Sequence, residues 1–566
     1  MVGVVLLVVL IALAVIGIRK AVGGGHAVAT EGHAIRRFFQ YLLLYGLLVV
    51  VATGVSGLLG RLFDRGAMVA ADDTELALSL AFTVVGVPLY AGLALWSRRR
   101  LADDPTEATS FGWAFYNTAA TLTALGVAMV ALHETLSWAV DIGPDNGRAL
   151  ARFLVWGGVW AAHWWLHLRL VPRPLSRLHH LAGSLIGLVT AATGLAGLFG
   201  GALWTLFFAG SEGVLTGGND VLGGAVTLAV GAPVWLLYWL RTASRSERDP
   251  LWLGYVLLAG VGGGLVTAVV SASTVLYDVL VWVVGDPRFT DATLHFNDAP
   301  WAAAAAVVGA LVWWYHQAAL GQARLETRTE VRRIYEYLMS GIGLVAAATG
   351  LTMLIVAAIE ALTGTETIIL GVSAVNTLLA AATVLAVSVP VWWFYWHRIQ
   401  AAATATPLEE HASPTRRVYL FGLFGVGGVA AVVSLLVGVY LLFEDVVQGS
   451  FGSETVRSMR FAIGILLTTG AIAAYHWAVY QGERVQVPSA AAHGPRYVLL
   501  VGPADAEIAR AVAHSTGGRV QAWNRTDDGG TPWSVEGVMA ALGTTTADEV
   551  LVLSDSSGLH AIPVHR

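Results

Sequence analysis

Three histidines recur at matching places along the chain and are the first candidates for chemistry. His163, His316 and His476 each lie near the end of an apolar run and stand in the same register within it. A neutral imidazole is a good iron ligand, so histidines on facing helices could hold a b-type haem. Two sister positions carry Tyr238 and Tyr395 instead, and tyrosine is a poor replacement in such a ligand set. The surrounding tryptophans are Trp160, Trp164, Trp235, Trp239, Trp313, Trp392, Trp396 and Trp477, and Arg169, Arg398 and Arg484 follow shortly after the histidine or tyrosine position. Trp and Tyr favour the headgroup level of a bilayer. The pattern therefore favours interface anchors over a haem site, and no cofactor is expected.

Other reactive residue types lead to similar conclusions. Pro88, Pro233 and Pro390 fall inside apolar runs, where a missing backbone N–H should kink a helix. Such breaks can mark a transporter site, but membrane helices also tolerate them as packing features. Asp64, Glu134, Asp278, Glu360 and Glu444 sit toward the far ends of long apolar segments. Glu360 follows Arg333 by 27 residues, about 40 Å of helix, so it should reach the outer interface and be solvated. No Ser/His/Asp set, zincin motif or carboxylate pair appears within the spans, and an enzyme is not expected. With no cysteine, disulfides, Fe–S clusters, thiolate metal sites and covalent haem are excluded.

The elements that carry these residues are membrane helices. Of 566 residues, 56% are hydrophobic and 13% charged, with a mean hydropathy of +0.67, against about a quarter charged in a soluble domain. Apolar runs of about 18 or more residues recur, long enough for a core of about 30 Å. They are continuous rather than alternating, which indicates helices and not barrel strands. The expected fold is an all-α polytopic membrane protein of about thirteen transmembrane helices in six helix-pair repeats, with a small C-terminal α/β domain of βαβαββ order.

The repeat is visible in the second helix of each pair. Val85-Gly-Val-Pro, Val230-Gly-Ala-Pro, Val308-Gly-Ala-Leu and Val387-Ser-Val-Pro align without gaps. The anchor falls at Pro88, Gly158, Pro233, Leu311, Pro390 and Ala471, spaced 70 to 81 residues apart. The partner helices are rich in small residues, including Gly194, Gly197, Gly260, Gly264, Gly343 and Gly350, which let membrane helices approach closely.

Val-Gly-x-Pro followed by aromatics, His-Trp and a basic residue resembles a family of bacterial and archaeal membrane domains of unknown function numbered 5671. The resemblance covers residues 36–481 as three four-helix copies, 36–170, 176–318 and 331–481. It implies a multi-pass architecture and no particular chemistry. Residues 1–20 read as an N-terminal anchor and 21–35 as a linker. The short connections after each His/Tyr helix are rich in arginine, those on the opposite side in acid. By the positive-inside rule the arginine-rich side faces the cytoplasm. The chain is expected in the inner or plasma membrane, with its N-terminus outside and its C-terminus inside.

Residues 482–495 read as a polar linker, and 496–566 as a cytoplasmic domain. Strands are expected at Tyr497–Val501, Arg519–Asn524, Val550–Ser554 and Leu559–Val564, with helices at Ala504–Ser515 and from Pro532 to about Gly543. The lipid bilayer is the expected partner, with a protein docking on the C-terminal domain and no nucleic acid. The leading functional reading is a non-enzymatic membrane scaffold. A transporter or channel using the repeat interface, and a haem-binding electron carrier, are the alternatives.

Overall fold

The computed structural model describes residues 28–63, 73–144, 147–208, 217–321, 329–363, 373–486, 495–502, 506–525, 534–545, 547–555 and 558–565. Twelve long helices lie within them. They are α1 (Val28–Phe63), α2 (Asp73–Asp103), α3 (Phe111–Ala139), α4 (Gly147–Leu170), α5 (Arg173–Phe208) and α6 (Gly217–Trp235), then α7 (Pro250–Val284), α8 (Ala299–Leu320), α9 (Glu330–Leu362), α10 (Ala374–Ala405), α11 (Pro414–Gln448) and α12 (Arg460–Gln486). Eleven candidate membrane spans are long and apolar enough to cross a bilayer.

Helix α4 falls outside those eleven because Arg148, Arg152, His163, His167 and Arg169 dilute its apolar face. Its 24 residues still extend about 36 Å, more than a core of about 30 Å. The expected first span, Val2–Ile18, and Asp64 lie outside the described residues. Helix α1 begins at Val28, inside the stretch expected as a linker, and α12 continues to Gln486, past the expected start of the second linker.

Local sequence sets several helix ends. Ser110 accepts from the Trp113 amide at 3.2 Å and opens α3, and Thr329 does the same for α9. Asp249 caps α7 through the Trp252 amide at 2.8 Å, with Pro250 in the first turn. Gly321 closes α8 at φ 65°, a conformation glycine adopts without a Cβ penalty. Pro88, Pro233 and Pro390 all lie within helices, as expected. Pro233 is followed by a wider π turn over Leu236–Leu240, in which the Arg241 amide reaches the Leu236 carbonyl at 3.0 Å. Such turns absorb an interrupted bonding ladder.

Contacts divide the chain into two units, Met1–Ile399 with Val429–Thr469, and Gln400–Gly428 with Gly470–Arg566. In the first unit one close contact recurs. A Cβ on Gly187 of α5 would lie 2.5 Å from the Trp235 backbone nitrogen. The corresponding distances are 2.5 Å for Gly264 to Trp313 and 2.6 Å for Gly343 to Trp392. Each glycine therefore lets two helix backbones touch at the aligned tryptophan, the use of small residues expected where lipid supplies no hydrophobic drive. Two of the acids are ion-paired rather than merely solvated: Glu134 meets Arg152, and Glu360 meets Arg460 at 2.8 Å.

In the second unit, β1 (Tyr497–Gly502), α13 (Ala506–Thr516), β2 (Arg519–Asn524), α14 (Val535–Leu542), β3 (Glu549–Asp555) and β4 (Gly558–Pro563) reproduce the expected βαβαββ order. The second helix starts at the Ser534 cap rather than at Pro532. The sheet order is β2-β1-β3-β4, parallel except for the antiparallel β3–β4 hairpin. Val498, Leu500, Val550 and Val552 form one buried face with Val512, Val538 and Leu542 from the helices. The alternate residues Leu499, Val501, Leu551 and Leu553 are only half-buried, and Trp523 beside Val501 is 55% exposed.

Replacing Gly264 with valine forces α7 and α8 apart. The expected loss is about 2–3 kcal/mol, the upper part of the usual cost of overpacking. Gly92→Ala, where nothing lies within 4 Å of the added atom, should cost nothing. Thermal unfolding of the two variants in one detergent checks the contrast.

Candidate metal centre

Each of the repeated histidines is engaged by its own neighbours. His163 donates from Nδ1 to the Val159 carbonyl at 2.8 Å, and its Nε2 meets the Tyr116 hydroxyl at 2.8 Å. His316 donates from Nδ1 to the Val312 carbonyl at 2.8 Å and packs against Gly260 and Trp239. His476, in the second unit, donates to the Ile472 carbonyl and lies beside Tyr419. Each is buried and serves its own neighbourhood.

The interface-anchor expectation is corrected for the tryptophans that pack inward. Trp239 and Trp396 are 0% and 2% exposed. Trp160, Trp164, Trp235, Trp313 and Trp392 are half-buried. Trp160 donates to the Tyr238 hydroxyl and Trp239 to the Tyr315 hydroxyl, both at 3.0 Å. Trp477 is 40% exposed. The most exposed tryptophans of these helix ends are the following residues Trp165, Trp314 and Trp393, at 51%, 61% and 59%. One residue turns a helix by about 100°, enough to exchange a protein-facing ring for an outward one.

A different histidine cluster forms where the first four-helix copy meets the second. His167 lies three residues before the end of α4, and His179 and His180 lie in the second turn of α5. Only Val171 and Pro172 separate the two helices. Pro172 disfavours a helical residue before it and so ends α4, and Pro174 is tolerated in the first turn of α5. The tight reversal brings the three imidazoles together.

One ligand nitrogen from each histidine can be chosen so that all three lie within 4.8 Å of one another. The rings of His167 and His179 stack at 4.1 Å, and His180 meets both edge-on at 5.6 and 5.2 Å. Trp164 and Tyr238 close the sides, with Trp164 5.5 Å from His179 and 4.7 Å from Tyr238. His167 and His179 are 1% and 0% exposed.

Both nitrogens of His167, both of His179 and Nε2 of His180 are buried and meet no hydrogen-bond partner among the described residues. A buried polar group left unmatched costs about 1–3 kcal/mol, and one such nitrogen from each ring lies near one from each of the others, so three of the five call for a common partner. A tetrahedral ion at about 2.0–2.1 Å from each nitrogen sets the nitrogens about 3.4 Å apart. Closing from 4.8 Å requires the stacked rings of His167 and His179 to turn, because each nitrogen lone pair lies in its own ring plane. Imidazole suits zinc, copper, nickel and iron, and three histidines leave a fourth coordination position open.

Charges at the same helix start are already matched. Arg177 binds Asp249 at 2.6 Å and Glu247 at 2.5 Å. Although partial burial opposes it, the Trp252 amide and Arg177 hold the Asp249 carboxyl below the usual carboxylate range. The Arg177 charge is thereby balanced close to a site suited to a cation.

Sequence reasoning passed over this cluster because it lies outside the aligned register. The visible signal was His163-x-x-x-His167, two residues on one helix face, followed after a proline turn by His179-His180.

Replacing His179 with leucine removes two unmatched buried nitrogens. With chelator present, its melting temperature should equal or exceed that of the unaltered chain, because exchanging an unsatisfied polar group for an apolar one is neutral or stabilising. A drop of several degrees would show that the imidazole makes a necessary protein contact.

Residues 37–162, 177–297 and 333–471 match the family described as a domain of unknown function (DUF5671). His167 lies between the first two matched segments, and His179 and His180 just inside the second. No curated protein and no solved structure matches the chain.

Proposed function

Because the chain belongs to the DUF5671 family, whose description assigns no activity, we propose a function from the site itself. The protein is a non-enzymatic membrane scaffold that holds one transition-metal ion, of the zinc or copper kind, between His167, His179 and His180. The observation that carries this reading is the gathering of one buried, unpartnered ring nitrogen from each of three histidines. The bound ion ties the end of the first copy to the start of the second and gives one nitrogen of each ring the partner it otherwise lacks. Arginine in the connections on this side supports a cytoplasmic placement for the 171–172 turn, and for the C-terminus. The half-buried apolar residues of the sheet, with exposed Trp523, support a docking role for the C-terminal domain.

Metal analysis of the full chain, purified in detergent without chelator, tests the proposal. About one ion per chain is expected, with binding weakened in acid because protons compete with the ion for the imidazole nitrogens. His167→Ala, His179→Ala and His180→Ala should each weaken Zn2+ affinity by more than about a hundredfold, beyond the usual effect of outer-shell changes. His163→Ala should leave it unchanged. No metal above background in the unaltered chain, or full retention in the triple variant, would overturn the reading. A Soret band in the same preparation would favour the haem alternative.

A second reading makes the ion a cargo. The π turn Leu236–Leu240 carries Tyr238, which covers the cluster, and broken membrane helices often line transport sites. Zinc uptake into liposomes containing the protein, absent from the His179→Ala variant, would select the transporter.

A further inference from the structure

The first copy contains a second cavity, unconnected with the metal proposal. It has a volume of about 590 Å³ between α2, α3, α4 and the middle of α1, within the range of ligand-sized pockets. Leu44, Ala94, Leu101, Trp113 and Leu166 give it apolar walls. Arg98 and Arg169 stand at its rim, both exposed, and neither has a carboxylate partner among the described residues. Arg169 lies over the Trp165 ring at 4.4 Å, which fixes its guanidinium beside the opening.

The deep end is polar but internally ordered. Tyr90, eight residues before Arg98 on the same helix, lies about 12 Å further along it. Its hydroxyl meets that of Tyr116 at 3.0 Å, and Tyr116 meets His163 Nε2 at 2.8 Å. Because His163 Nδ1 donates to the Val159 carbonyl, the neutral ring presents Nε2 as an acceptor. Tyr116 therefore donates to His163, and Tyr90 donates to Tyr116. The two tyrosine hydroxyl protons are consumed among the side chains themselves, so Tyr90 and Tyr116 present an inserted chain with a held surface.

A rim of two cations over an apolar cleft matches one chemistry: an anionic head with a hydrocarbon tail. Basic pockets between membrane helices on the arginine-rich side are suited to anionic lipid headgroups. We propose that this cavity is a binding site for an anionic membrane phospholipid, its phosphate between Arg98 and Arg169 and one acyl chain running inward along Ala94 toward Tyr90. A free phosphate would use the rim alone and leave the apolar volume without a role.

Native mass spectrometry of the full chain tests the site, using micelles equilibrated with equal amounts of phosphatidylglycerol and phosphatidylcholine of the same acyl chains. The unaltered chain should retain phosphatidylglycerol in preference by about thirtyfold, the factor expected from two basic residues near a headgroup. R98Q/R169Q should bind the two lipids about equally. R241Q/R245Q, which removes two exposed arginines from another connection, should keep the preference and so separates this site from general surface charge. Millimolar inorganic phosphate should not displace the lipid. Equal retention of both lipids by the unaltered chain, an undiminished preference in R98Q/R169Q, or displacement by phosphate would each overturn the proposal. The comparison of lipids and the phosphate arm need no variant, so they stand even if a substitution impairs folding.

Discussion

The contact that governs the membrane part is backbone against backbone at a glycine. Gly187, Gly264 and Gly343 each allow the neighbouring helix to approach to a distance no side chain would permit. That approach fixes the rotation of the partner helix as well as its separation, because the contacted atom belongs in each case to the aligned tryptophan. Once Trp235, Trp313 and Trp392 are placed, the residue three positions later faces the same neighbour. Gly183 then meets Tyr238, and Gly260 meets His316. The burial of the repeated aromatic position follows from helix geometry rather than from any affinity of the ring.

Duplication has used that buried position in different ways. In one copy it is His163, the acceptor that orders a line of tyrosine hydroxyls. In the next pair it is Tyr238, bonded by Trp160 and packed on the histidine cluster. In a later pair it is His316, enclosed by Trp239 and Tyr255. A position fixed in space by packing is free to change its chemistry, provided the new side chain has a comparable ring and a local polar partner. That is why tyrosine and histidine alternate there without disturbing the register.

The sequence carries most of the architecture, because helix length, apolarity and arginine placement are properties of single segments. The sheet domain is legible for the same reason: its alternation and turn residues are local. What escaped were facts about pairs. Tryptophan type alone suggests a headgroup anchor, and only the packing of neighbouring helices shows that Trp239 points inward while Trp314 and Trp393 point out. The histidine site was hidden for a related reason. A search along the repeat looks for the same residue at equivalent positions, whereas the sister copies carry other residue types where His167, His179 and His180 stand. Their proximity depends on a two-residue reversal between helices.

That reversal has an evolutionary consequence. A ligand set drawn from the last turn of one copy and the first turns of the next does not exist in a single copy, however well that copy folds. It arises only at a seam, when two genes for the same domain are fused with a very short join. The number of such sites is then set by how many seams are short enough, not by how many domains are present. In this chain the other seam runs from the end of α8 at Leu320 to the start of α9 at Glu330, a longer crossing. Fusion itself, rather than gradual change within a domain, is the event that could create a metal centre in this fold.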